Sequence, residues 1–212
     1  PILECPDPQS LARVGRPGDG GKWLCVSLLQ DPCVVFSLGS NGDYSFEESI
    51  LDTTSCTVHT FDCTVNGRNL SERHHYHKLC LGSAAKAAVD PNFITLEEAV
   101  SFVDKVSLLK IDIEGFEFDA LASWKQMDTL LPEQVTIEVH HSYVIYMGTP
   151  SQNNAKDFSN LLCTFHEHVF LGKIILHCVQ KFRKLAFAVI FHLLLTLKGF
   201  SPCRANAQPG LI

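Results

Sequence analysis

From Cys33 onward the apolar positions fall into two alternating rhythms. Short unbroken runs rich in β-branched and aromatic residues, "CVVFSLG", "CTVHTFDCT", "VSLLKIDI" and "QVTIEVHH", read as buried strands. Between them polar residues return at helical spacing. "SNGDYSFEESILDT" predicts a helix from about Ser45, "TLEEAVSFV" a short one with Thr95 as N-cap and Glu98 at the capping-box position, and "EGFEFDALASWKQM" another. "YHKLCLGSA" adds a weaker strand. Strands alternating with helices require crossover connections, which place parallel strands between two helical layers. The expected fold is therefore α/β and Rossmann-like, a mostly parallel sheet with helices on both faces. Ligands of such sheets bind beyond the carboxyl ends of the strands, where the strand order reverses.

The ends of the chain break this rhythm. Residues 1–33, with "PILECPDPQS" and "GRPGDGGKW", read as a loop-rich lead carrying little regular structure, residues 34–165 as the α/β domain, and residues 166–212 as a divergent hydrophobic tail. Within the tail, "LAFAVIFHLLLTL" lies between Lys184 and Lys198 and falls short of the roughly 20 apolar residues of a membrane span. The tail is expected to be a non-native terminus from alternative splicing or a misread exon boundary rather than a membrane contact. The C-terminal strands of the sheet are expected to be incomplete.

Composition narrows the partners. Lys and Arg number 17 against 23 Asp and Glu, a formal charge of -6, so there is no basic footprint for nucleic acid. A hydrophobic content of 46% over 212 residues suffices for a real core. Nine cysteines occur without a CxxC pair, which argues against a zinc ribbon or a thioredoxin-like motif. Disulfides would be natural in the secretory pathway, the favoured location, with the cytoplasm as the alternative.

The chemistry collects at four strand ends: Gly39-Ser40-Asn41-Gly42-Asp43, Asp62, Asp112 with Glu114, and Glu138 with His140 and His141. A glycine loop after the first strand lets backbone approach a nucleoside, and an acid about twenty residues on can accept ribose hydroxyls. "GSNGDYS" lacks the GxGxxG pattern of a pyrophosphate loop, and Asp43 would repel phosphates, which leaves an NAD-linked oxidoreductase resting on fold alone. A cationic, phosphate-free cofactor, S-adenosylmethionine, suits an acidic site better. In "LLKIDIEGFEFDAL", Asp112 and Glu114 would border the ligand crevice, whereas Glu117 and Asp119 would begin a helix, where negative charge suits the dipole. "RHHYHK" is expected to be a surface loop leading into a strand, with only His75 and His77 sharing a face. Trp23 and Trp124 are expected to cover the core.

The ordered series "VVFSLGSNGDYSFEE", "VHTFDCT", "TLEEAV", "LLKIDIEGFEFDAL" and "VTIEVHH" resembles the FkbM-type S-adenosylmethionine-dependent methyltransferases, and "GDGGKW" resembles the lead of their animal methyltransferase-like branch. The resemblance spans about Gly18 to His141. It implies that Gly39, Ser40, Asn41, Gly42 and Asp43 wrap the methionine part of the cofactor, that Asp62 holds the ribose, and that Asp112 and Glu114 face cofactor and acceptor. Glu138 and His140 would stand on the neighbouring strand end. Cys63 departs from the family, which commonly has Pro after the acid. The resemblance also implies two closing strands, the last antiparallel, yet the chain stops resembling the family after about Phe165. For O-methyl transfer to a small-molecule, glycan or peptide acceptor, His140 is the first choice of base, because an imidazole titrates near neutrality, and Asp112 the second. No metal site is expected, since Asp112, Glu114 and His140 have no local ligand spacing. A catalytically inactive or truncated relative that only binds is the alternative.

Overall fold

The computed structural model describes residues 5–18, 20–122, 132–140 and 170–177. Along the chain come strands β1 (Leu11–Val14), β2 (Lys22–Cys25) and β3 (Val34–Leu38), helix α1 (Ser45–Thr53), then β4 (Thr57–Phe61), β5 (His74–His77) and β6 (Cys80–Leu81). Helix α2 (Ala84–Ala87), β7 (Phe93–Ile94), α3 (Leu96–Val100), β8 (Leu108–Ile111), α4 (Glu117–Ala122), β9 (Gln134–His140) and β10 (Phe170–His177) complete them.

Six strands form the central sheet in the order β10-β9-β8-β3-β4-β5, and every pairing in it is parallel. Taken in chain order this is the doubly wound 3-2-1-4-5-6 arrangement, so the order reverses between β3 and β8. Phe170–His177, in the stretch assigned by sequence to the tail, forms the sixth strand and runs parallel to β9. The rest of the tail, including the apolar run, lies outside the described residues, as does Trp124. Among the described residues no helix is long and apolar enough to cross a membrane.

Alternation along each strand divides the core in two. One face carries Phe36, Leu38, Phe61, Leu109, Ile111, Val135 and Ile137 and packs on α3 and α4 through Leu96, Ala99, Val100, Ala120 and Leu121. The other carries Val35, Val58 and Leu108 and packs on α1 and the first hairpin through Phe46, Ile50, Leu51, Val14 and Leu24. Helix α3 begins with the expected capping box: the Thr95 hydroxyl accepts from Glu98 N, and the Glu98 carboxylate accepts from Thr95 N at 2.7 Å.

The lead is more ordered than its composition suggested. Strands β1 and β2 pair antiparallel, and a Cys5–Cys25 disulfide ties the segment before them to the end of the hairpin. Four-residue strands between Pro and Gly turns are too short to show a period, which is why the hairpin is silent in the sequence. Trp23 is 36% exposed there and so covers the core only in part. Two further disulfides, Cys33–Cys56 and Cys63–Cys80, pin the starts of β3 and β4 together and the loop after β4 to β6. Cys63, the departure from the family pattern, is thus a crosslink.

The histidine-rich stretch is strand rather than surface loop. His74 is fully buried, with ring nitrogens 2.9 Å from Thr60 Oγ1 and 3.0 Å from Leu70 N. Burial and the neighbouring histidines lower its pKa to about 4. His75 and His77 do share a face, with His59 of β4 against both; His59 Nδ1 is 3.1 Å from His77 Nε2. The third strand itself begins before "YHKLCLGSA", because these histidines pair in register with Val58–Phe61.

Candidate functional site

The carboxyl ends of four adjacent strands set Asp62, Gly39, Asp112 and Glu138 side by side across the reversal of strand order. The ladder runs through this row: Gly39 N donates to Phe61 O, and Asp112 N to Leu38 O, each at 2.9 Å. Register pairs Ile111 with Ile137, so Glu138 follows level with Asp112. Gly39 has a φ of +82°, and a methyl group at its Cα would collide with the Asp112 carbonyl, so only glycine fits where the two chains meet.

Asp62 shapes the loop that leaves β3. Its Oδ2 accepts from Ser40 N at 2.9 Å, Asn41 N at 2.7 Å and Ser40 Oγ at 3.2 Å, while Oδ1 accepts from Thr64 N at 2.8 Å and Thr64 Oγ1 at 2.6 Å. Burial works against its charge, but these donors outweigh it and hold the carboxyl below its ordinary range. Asn41 and Gly42 both lie in the left-handed region, at φ +48° and +76°, which turns successive N–H groups inward. Asp43 accepts from Ser45 N, at the first residue of α1, at 3.1 Å, and its Oδ2 lies 2.8 Å from Arg16 Nε of the lead.

A lysine from the lead enters this row. Lys22 is 1% exposed, and its Nζ lies 2.6 Å from Glu138 Oε2 and 2.9 Å from Asp112 Oδ2. Burial alone would lower its pKa; Asp112 and Glu138 outweigh that and raise it. Beneath the loop lies a second buried polar group. Ser37, Thr60, Lys110 and Thr136 occupy matched positions on one face of adjacent strands, and all are buried. Glu47 of α1 covers them, its Oε1 accepting from Ser37 Oγ at 2.6 Å, while its Oε2 has no hydrogen-bond partner among the described residues. Lys110 donates to the Gly39 carbonyl, fixing the loop from below. Burial raises the Glu47 pKa and lowers that of Lys110.

Of the acids after Asp112, Glu117 and Asp119 lie in the first turn of α4, as expected. Glu114, at φ +53°, is exposed on the turn out of β8. Glu117 begins α4 and is buried, its Oε1 accepting from Ile113 N at 3.2 Å and Gly115 N at 3.1 Å, so it braces the turn that carries Glu114. His140 is the last residue of β9, in register with His177 of β10. His141 lies outside the described residues.

A family model described as a methyltransferase domain matches residues 3–174, from the lead into β10. The chain belongs to the methyltransferase domain family. No curated protein and no solved structure matches it. Within this methyltransferase, the donor set can be tested against the cofactor that such domains generally use. Asp43 already takes the N–H at the start of α1, and Asp62 takes those of Ser40 and Asn41, so the loop presents acids where a pyrophosphate would need free donors. Acidic strand ends fit a cationic, phosphate-free group such as S-adenosylmethionine better than a pyrophosphate, while the room at Gly39 is taken by the Asp112 carbonyl. Sequence reasoning missed Lys22, Lys110 and Glu47. Lys110 had left a signal, a cation inside the apolar run "LLKI"; Lys22 in "GDGGKW" had none that assigned it a position.

Proposed function

We propose that this methyltransferase uses S-adenosylmethionine, in the manner of the FkbM-type enzymes it resembles, and transfers the methyl group to an oxygen of a small-molecule, glycan or peptide acceptor. The observation that carries this reading is the row Asp62–Gly39–Asp112–Glu138 at the reversal of strand order, with its loop already shaped by Asp62. The cofactor, when bound, supplies a methyl group on a sulfonium, an excellent leaving group, so the protein's work is alignment and proton removal. Gly39 to Asp43 would hold its methionine part, Asp62 its ribose, and Asp112 and Glu114 would border it. With five donors on its two oxygens, Asp62 acts first on the loop, and a ribose contact would add to that network or replace one member. His140 is the proposed base. Asp112 is second to it because Lys22 Nζ already engages its carboxylate at 2.9 Å.

Calorimetry with S-adenosylmethionine tests the assignment. Asp62→Ala should weaken binding by about tenfold or more, on the order of 1.4 kcal/mol. Equal affinity for both proteins would refute the role given to Asp62. The observation favouring the alternative, a relative that binds without transferring, is that Lys22 already engages both Asp112 and Glu138. Labelled methyl appearing in any glycan, peptide or small-molecule pool would exclude it.

We infer also that the chain works in the secretory pathway. Three disulfides among the described residues support this, since such bonds persist in oxidising compartments and are rare in the cytosol. Thiol alkylation of protein taken from its native cells reads it out: Cys5, Cys25, Cys33, Cys56, Cys63 and Cys80 should resist modification until reduced.

A further inference from the structure

Asn69-Leu70-Ser71 is the one Asn-X-Ser/Thr sequence in these 212 residues with X other than Pro. A three-residue pattern recurs by chance, so its weight comes from where the fold puts it. Asn69 and Ser71 are both exposed, in an irregular segment that leads into β5. β5 ends the sheet order on that side, with β4 between it and β3. Asn69 Oδ1 accepts from Tyr76 N of β5 at 2.8 Å, whereas Asn69 Nδ2 makes no hydrogen bond to another described residue. The oxygen thus serves the fold and the nitrogen is left for chemistry. Substitution at Nδ2 preserves the carbonyl oxygen, so a modified Asn69 keeps its bond to β5.

We propose that Asn69 is an N-glycosylation site. The proposal rests on the secretory reading given above. The donor class is an oligosaccharide carried on a polyprenyl diphosphate, used by the membrane transferase of the compartment. Asn69 Nδ2 forms a bond to the anomeric carbon, the bond from that carbon to the phosphate oxygen breaks, the lipid diphosphate leaves, and one amide proton is released. The sugar then stands beside β5, the last strand of the sheet order on that side.

The test is translation of the full chain, with a cleavable secretory leader fused before Pro1, into microsomes that carry the glycosylation machinery. Protease-protected chain should run as one discretely heavier band that collapses on treatment with a peptide N-glycosidase. Asn69→Gln and Ser71→Ala should each abolish the shift, and Ser71→Thr should keep it. A protected chain that runs unshifted, or a shift that survives Asn69→Gln, overturns the proposal. Because the fused leader ensures entry, either result is independent of location. The alkylation pattern of the native-cell protein judges the secretory reading separately, since free thiols there would refute that reading alone.

Discussion

Two lysines are buried at the carboxyl end of the same sheet, and their surroundings move their protonation in opposite directions. Lys22, 1% exposed, touches two carboxylates, and its pKa is raised in spite of its burial. Lys110, 5% exposed, donates to the carbonyl of Gly39 rather than to a carboxylate, and burial lowers its pKa although Glu47, Asp112 and Asp62 pull the other way. A buried ammonium keeps its charge when carboxylates contact it directly, and is penalised when they act from further off. The two sites therefore have different work. Lys22 is a fixed cation that lets two acids coexist at the strand ends, whereas Lys110 is a hydrogen-bond donor that shapes the loop.

Lys22→Met gives the largest expected effect. It leaves Asp112 and Glu138 without their buried counter-ion, and breaking such a pair costs about 3–5 kcal/mol. Urea denaturation at neutral pH measures it. The deficit should shrink as pH falls into the carboxylate range, because protonation relieves the repulsion that remains. In the unmodified protein the sign is set by the raised pKa: the stability from Lys22 is fully present below about 10.5 and is lost as pH rises through the folded value. A deficit below about 1 kcal/mol would break the comparison, since Lys22 would then be no better placed than Lys110.

Lys110→Met should cost less, about 1 kcal/mol, for the donor withdrawn from the Gly39 carbonyl. Its linkage runs opposite to that of Lys22. Between the lowered folded pKa of Lys110 and 10.5 the unfolded chain binds more protons, so stability from this site rises with pH, and the variant should lose that rise. Glu47→Gln sharpens the same point from the acid side. The Glu47 pKa is raised by burial, so above 4.5 the folded state holds the extra proton and stability falls with rising pH until the folded value is passed. Glutamine should flatten that fall. Stability curves from pH 4 to 11 for the two variants check both signs.

Where the sequence was legible, its signal was periodic and uninterrupted. β3, β4, β8 and β9 announce themselves as apolar runs, and the strand-end acids follow because polar groups can end such runs but rarely interrupt them. The exception is informative. Lys110 and Ser37 do interrupt buried strands, and they do so where Glu47 and Thr60 meet them from two other elements, a coincidence of distant positions that no local window contains. Lys22 was hidden for the same reason: 116 residues separate it from Glu138, and the hairpin that delivers it is too short to show a period. Asp62 was legible by its spacing after Gly39, but its bonds to Ser40, Asn41 and Thr64 were not, because they join backbone groups that no side-chain pattern marks.

The smallest expected effect supplies the control for the two lysines. Arg16 also reaches from the lead to an acid of the site, Asp43, but its side chain is 62% exposed against 27% for Asp43. Water screens such a pair, so Arg16→Ala should cost only about 0.2–1 kcal/mol. Its backbone N–H still donates to Ser45 Oγ at 3.2 Å, so the lead should keep its seat on α1. Salt then separates the regimes. At 1 M ionic strength the screening length falls to about 3 Å, which should erase the Arg16 effect and leave the Lys22 deficit nearly intact, because ions cannot enter between Lys22, Asp112 and Glu138. Equal salt sensitivity in the two variants would mean that the Lys22 cluster is open to solvent, and with it the distinction between the fixed cation and the loop donor would fall.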